Sequence, residues 1–332
     1  MDFDDPAFTV PTGAPLPLDP QIAEFLRRMA ADGSRYPRRD TTSIDEARRI
    51  AEVVRAPWAA GGPEMVRIDE LSAPTRHGDL RVRIYRPTKK PLDGALVYLH
   101  GGGFVLFSID THDRLMREYA DRAGIAVIGI DYPRAPEARF PQPLEACIDA
   151  LRWLRANAST LGFDATQTFV GGDSAGANLA VGTALALRDA GDAPLAGLVL
   201  NYGAYSSNLY RDSMAQYGAG DYGLSAHMMI WFRGMYLARA ADFQDPRYDL
   251  LRADTTGLPP VQLVITECDP LRDDSFAFQG KLEREGVNVT AKVYPGTAHS
   301  FLEAVSIADV AVAAFDDTAR WIREVAATAR QP

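Results

Sequence analysis

Gly171-Gly172-Asp173-Ser174-Ala175-Gly176-Ala177-Asn178 constrains this chain more than any other stretch. It follows Thr168-Phe169-Val170, an apolar run with the character of a buried strand, and leads into Asn178-Leu179-Ala180-Val181, the first turns of a helix. Gly172, Ser174 and Gly176 stand in GxSxG spacing on that strand-turn-helix segment. A serine held on so sharp a turn needs neighbours without side chains, because the backbone must fold back tightly and leave Oγ exposed. Ser174 is therefore a candidate nucleophile at a helix N-terminus, where free N–H groups favour developing negative charge. Taken alone, the same string also fits a glycine-rich turn with a helix-capping Ser or Asp.

The pattern around it is regular. Two amphipathic helices are expected first, one from Asp19-Pro20 with Ile22, Phe25, Leu26 and Met29 on one face, the other over 43–54, opened by Ser43-Ile44-Asp45-Glu46. Residues 1–17 before them are proline-rich and aperiodic, an arm. Met65-Val66-Arg67-Ile68 and Leu80 to Tyr85 alternate apolar and charged, as strands wet on one face do; Ala95 to Leu99, Ala126 to Ile130, 167–171, Leu195 to Tyr202, Val261 to Ile265 and Val289 to Tyr294 are apolar or nearly so. Helices are expected between them at 113–123, 144–156, 177–188 and 275–285, with a last one over 307–326. This alternation implies an α/β fold with a parallel, doubly wound sheet and an antiparallel edge. The rhythm breaks at 203–258, where a methionine- and aromatic-rich helix over 225–237 interrupts it. The expected division is 1–60, arm and covering helices; 61–202, first part of the core; 203–258, an insertion; 259–332, second part of the core.

Composition removes several function classes. At 332 residues with a net charge of -9, the chain has no concentrated basic face for nucleic acid. Its densest basic cluster, Arg35-Tyr36-Pro37-Arg38-Arg39, is short, bounded by Asp32 and Asp40, and expected on a solvated face. The only cysteines, Cys147 and Cys268, lie in different elements, and no Cys/His metal spacing occurs, so neither a disulfide framework nor a metal site is expected. The acidic start MDFDDPAFTV lacks the order of a secretory signal, and no apolar run is long enough for a bilayer. A cytoplasmic protein without a membrane partner is the expectation.

A serine hydroxyl needs a base, a group to orient that base, and donors for an oxyanion. His77 and His112 are expected at the surface, His227 falls on the inserted helix, and His100 is expected to be structural. His299, directly after the last strand, stands where loops at the carboxyl edge of a parallel sheet converge, and is the candidate base. Asp269, after the strand at 261–265, is the candidate orienting carboxylate; Asp273 and Asp274 compete, but fit better as the acidic first turn of the next helix. His100-Gly101-Gly102-Gly103-Phe104 follows a buried strand, and its glycines let backbone N–H groups converge. Gly102, Gly103 and Ala175 are the candidate oxyanion donors. A phosphate loop is the rival reading, but neither GxGxxG nor GxxxxGK is present in it. Phe104, Tyr202, Tyr205, Leu224, Met228 and Phe232 are candidate pocket residues.

His100 to Phe104, Thr111-His112-Asp113, Asp131-Tyr132, Ala135-Pro136-Glu137, Phe140-Pro141, Gly172 to Gly176, Asp269 to Asp273 and His299 together resemble the hormone-sensitive-lipase-like family, the bacterial family IV esterases with a GDSAG motif of the α/β-hydrolase superfamily. The resemblance runs from about residue 19 to the end. It implies an eight-stranded, mostly parallel sheet flanked by helices, a helical cap built from the N-terminal helices and the insertion, and cofactor-free hydrolysis of short- to medium-chain esters of small molecules. It also suggests a homodimer through the last strand. Departures from the family pattern are Ala177 and Ser300, where glycine is usual, and Pro133-Arg134-Ala135. An amidase or deacetylase using the same groups, or a ligand-binding receptor on this scaffold, are the alternatives.

Overall fold

The computed structural model describes residues 16–88 and 92–328, so the expected arm lies outside them but for its last residues. Eight strands form one sheet: β1 (Met65–Ala73), β2 (Leu80–Pro87), β3 (Ala95–Leu99), β4 (Ala126–Ile130), β5 (Thr168–Asp173), β6 (Gly197–Asn201), β7 (Val261–Cys268) and β8 (Val289–Ala298). Their order is β1-β2-β4-β3-β5-β6-β7-β8. β2 runs antiparallel to both its neighbours, and every other pairing is parallel.

Strand periodicity divides the core between two faces. Leu96 and Tyr98 of β3 join Leu115 and Tyr119 of α3 (Asp113–Ala123) and Phe315 and Ile322 of α10 (Asp309–Thr328). Val97 and Leu99 point the other way, toward Leu144 and Leu151 of α4 (Gln142–Ala156) and Leu179 and Val181 of α6 (Ala175–Asp189). Both faces are covered, which is why β3 and β4 are apolar at every position, whereas edge strand β1 alternates. The short α5 (Ala158–Leu161) continues α4.

Two groups of helices stand at the end of the sheet where the parallel strands terminate. α1 (Pro20–Gly33) starts as its sequence predicts, with Asp19 accepting from the N–H groups of Gln21 and Ile22. Asp19 also donates its own N–H to Gly296 O at 2.9 Å, which seats α1 against the end of β8, just before His299. Gly296 has φ +66, and a Cβ there would lie 2.5 Å from Asp19 N, so a side chain would push α1 away. α2 (Ile44–Ala59) is capped by Ser43, which accepts from Glu46 N–H. Phe25 meets Trp58 edge to face at 4.6 Å, joining α1 to α2 with about 1 kcal/mol beyond their burial.

The second group follows β6. It comprises α7 (Asp212–Tyr217), which the apolar pattern did not announce, and α8 (Ala226–Tyr236), within the expected 225–237. Asp40, in the 3₁₀ turn Arg39–Thr41 between α1 and α2, bonds Arg38 and also His227 of α8, at 2.9 and 2.5 Å. That pair ties the N-terminal helices to the segment after β6. α9 (Arg272–Arg284) carries Asp273 and Asp274 in its first turn, the place expected for them. No helix among the described residues is long and apolar enough to cross a membrane.

Candidate active site

Ser174 lies alone between the end of β5 and the start of α6, with φ 54° and ψ -116°. A side-chain-bearing residue at positive φ costs about 1–3 kcal/mol and persists only where its surroundings over-determine it. Here they do. Ser174 N–H donates to Asn201 O at 2.9 Å, and both motif glycines press on the end of β3: a Cβ on Gly172 would fall 2.4 Å from Leu99 O, and one on Gly176 only 1.9 Å. The GxSxG spacing is thus a steric requirement of this elbow.

The loops after β7 and β8 bring the other candidates to it. His299 Nε2 is 3.1 Å from Ser174 Oγ, and His299 Nδ1 is 2.8 Å from Asp269 Oδ2. Asp269 is fully buried; Thr266 Oγ1–H donates to Oδ2 at 2.5 Å and Leu271 N–H to Oδ1 at 2.7 Å, which fixes the carboxylate plane. Tyr202 packs edge-on to the His299 ring at 5.2 Å. Ser300, where glycine is usual in the family, takes a left-handed φ of 67°.

The glycine loop faces the same point. Gly102 has φ +116 and Gly103 φ +63; a Cβ on Gly102 would meet Leu106 O at 2.2 Å, and one on Gly103 the Phe232 ring at 2.3 Å. Gly101 N–H donates to Asp173 Oδ1 at 3.0 Å, and Tyr98 O–H to the same oxygen, so the elbow's aspartate anchors the glycine loop. The N–H groups of Gly102, Gly103 and Ala175 have no protein acceptor among the described residues. They remain available to a ligand oxygen at the positive end of α6.

The remaining histidines are occupied elsewhere. His100 is buried, with Nδ1 2.7 Å from Gly101 O and its ring stacked on Tyr132 at 4.3 Å. Burial, with His112 nearby, pushes its pKa down to about 3, so it is neutral at physiological pH. His112, expected at the surface, is buried instead, its Nε2 3.4 Å from the Asp173 carboxylate. The start of α3 turns it inward, where that buried carboxylate offers it a polar partner. His77 is exposed and pairs with Glu145, and His227 pairs with Asp40. His112, Asp173 and Glu303 bring ligand-type atoms within 4.8 Å of one another, but Gly101 N–H, Tyr98 O–H and the Arg55 guanidinium already meet their oxygens.

A cavity of about 110 Å³ lies beside Ser174 and His299. Phe104, Leu224, Met228 and Phe232 line it, as do Gly102, Gly103 and Ala175. Tyr202 and Tyr205 are corrections: neither reaches the cavity, because Tyr202 supports His299 from behind and Tyr205 stacks on Phe278 at 4.3 Å. Sequence reasoning missed Met29, Arg39, Arg55, Met229 and Tyr248 in the wall. Met29 was visible as an apolar helix position, but nothing in the sequence told which surface that helix covers. Arg39 corrects the expectation of a solvated face, since it turns inward while Arg35 and Arg38 stay exposed.

The family model described as alpha/beta hydrolase fold matches residues 96–303. An ethyl acetate hydrolase of Pseudomonas putida is 38% identical over 304 residues, covering 89% of this chain and 95% of the relative. Among solved structures, a hyperthermophilic esterase from the archaeon Pyrobaculum calidifontis superimposes with a TM-score of 0.87 at 32% identity, over 94% of this chain and 99% of its own. A thermophilic, thermostable carboxylesterase cloned from a metagenomic library gives 0.82 at 32% identity, over 88% and 99% of the two chains. With its eight-stranded sheet and its GDSAG elbow, the chain belongs to the hormone-sensitive-lipase-like esterases of the α/β-hydrolase superfamily.

Proposed function

We propose that this esterase cleaves short- to medium-chain acyl esters of small molecules through an acyl-enzyme on Ser174. One observation carries the reading: the Ser174, His299 and Asp269 side chains form a continuous hydrogen-bonded chain, at 3.1 and 2.8 Å, beside backbone N–H groups that have no protein acceptor.

Ser174 Oγ attacks the ester carbonyl as His299 Nε2 takes its proton, and Asp269 holds the Nδ1–H tautomer and stabilises the imidazolium. The N–H groups of Gly102, Gly103 and Ala175 receive the oxyanion, each removed donor costing about 10²–10³ in kcat in comparable sites. His299 returns the proton to the departing alkoxide, and water then repeats the sequence on the acyl-enzyme. The cavity of about 110 Å³ favours small acyl groups, in keeping with the ethyl acetate hydrolase among the relatives.

Replacement of Ser174 by alanine tests this. The variant is expected to unfold near the parent temperature, since alanine keeps the same backbone turn and only the hydroxyl's hydrogen bond to His299 is lost, while hydrolysis of p-nitrophenyl acetate falls by about 10⁴ or more. A folded variant working at the parent rate would place the nucleophile elsewhere.

A further inference from the structure

Three guanidinium groups reach the cavity beside Ser174, and they differ in what balances them. Arg55 forms an ion pair with Glu303 and lies over the Phe107 ring at 4.5 Å. Arg233 donates to Ser206 O and Ser207 O at 2.8 and 2.5 Å. Arg39 has no hydrogen bond and no ion pair among the described residues. Its neighbour Asp40 is already shared between Arg38 and His227. The lining carboxylate, Asp173, is committed to Gly101 N–H, Tyr98 O–H and His112.

Arg39 cannot escape this by deprotonating. Burial draws its pKa downward, but arginine stays charged at any pH compatible with the fold. The adjacent Asp40 charge opposes that pull without forming an ion pair; a half-buried cation with no paired carboxylate among the described residues is costly, and an anion arriving beside it gains more than it would in water. Arg39 also stands at a junction: with Met29, Arg55, Met228, His299 and Ser300 it lines both the small cavity and an adjoining open cleft of about 990 Å³. A substrate reaching from Ser174 into the cleft passes it.

We infer that the preferred substrates are esters that carry a carboxylate a few bonds from the scissile carbonyl, bound by Arg39. This rests on the esterase reading above and narrows it. The carboxylate belongs either to the acyl part, as in a half-ester of a dicarboxylic acid, or to the alcohol part, as in an acylated hydroxy acid. Both present the same group to the same guanidinium.

Matched pairs separate the two. Monoethyl succinate against ethyl 4-methylpentanoate puts the charge on the acyl side, and 3-acetoxypropanoate against 3-methylbutyl acetate puts it on the alcohol side, each neutral ester having nearly the shape of its charged partner. In one pair at least, the ratio of kcat/KM, charged over neutral, is expected to fall tenfold or more in Arg39→Gln. The neutral ester should lose several-fold less than its charged partner, Arg39→Lys should keep most of the ratio, and 1 M NaCl should erode it in the wild type. Unchanged ratios in Arg39→Gln for both pairs, or an equal loss on charged and neutral esters alike, would overturn the inference while leaving the esterase reading in place. A wild type that hydrolyses none of the four, nor p-nitrophenyl acetate, would instead overturn the esterase reading on which it rests.

Discussion

The cavity has two walls built to different rules. The sheet-side wall, residues 100–106 and the elbow at 172–176, is backbone: glycines whose added Cβ would collide at 1.9–2.4 Å, and an aspartate that ties the two turns together. The helix-side wall is side chains from α1, α2, α8 and the turn at Arg39–Thr41, packed through Met29, Met228 and Phe232 and holding Arg39, whose guanidinium has no hydrogen bond or ion pair among the described residues. A backbone wall tolerates almost no substitution and so fixes where its free N–H groups point. A side-chain wall can be rebuilt residue by residue, and thereby decides what fits.

The sharpest way to break that comparison is at the point where the walls touch. Gly103→Ala should lower kcat by about 10² or more, because its methyl group meets Phe232 and displaces a donor N–H. If the collision is the cause, adding Phe232→Ala should recover at least about a tenfold part of the loss, the remainder reflecting the φ +63 that alanine takes poorly. No recovery would mean that the loop, not the contact, is at fault.

Phe232→Ala by itself enlarges only the side-chain wall. The ratio of p-nitrophenyl octanoate to acetate hydrolysis should rise about tenfold, in line with about 1–3 kcal/mol per methylene newly accommodated. An unchanged chain-length profile would remove Phe232 from the acyl wall.

The smallest effect concerns what holds the helix-side wall closed. Hydrogen bonding from Arg38, with His227 adding to it, draws the Asp40 pKa down to about 2. A carboxylate whose folded pKa is depressed contributes stability above its ordinary value, near 3.8, and loses it as the pH falls toward about 2. Asp40→Asn should therefore cost about 1 kcal/mol in urea unfolding at pH 7, a modest figure because Arg38 is largely exposed. The gap between variant and parent should narrow from pH 4 to pH 3. A gap that is constant or widens over that range would show that the Asp40 charge is not what joins the segments.

The contrast between the walls also explains what was legible in the sequence. Gly102, Gly172 and Gly176 announce the sheet-side wall because only glycine satisfies their contacts, and the apolar runs of β3 to β6 announce the strands that carry it. Asp269 and His299 follow from their places after β7 and β8. The helix-side wall was not readable in the same way. Amphipathic spacing tells that Met29 is covered, not that it covers Ser174, and Arg39 looks like its exposed neighbours until the turn directs it inward. His112 was misplaced for a related reason: the partner that draws it into the interior, Asp173, lies 61 residues away. Tyr202 and Tyr205 follow β6 closely enough to suggest the pocket, yet the chain there aims both rings at supporting positions.

The most direct measurement is covalent. Treatment with diethyl p-nitrophenyl phosphate should abolish ester hydrolysis in step with a single diethylphosphoryl group, found by peptide mass mapping on the peptide that contains Ser174. Complete inactivation with the group on another residue, or full activity with Ser174 modified, would contradict the assignment of Ser174 as the nucleophile.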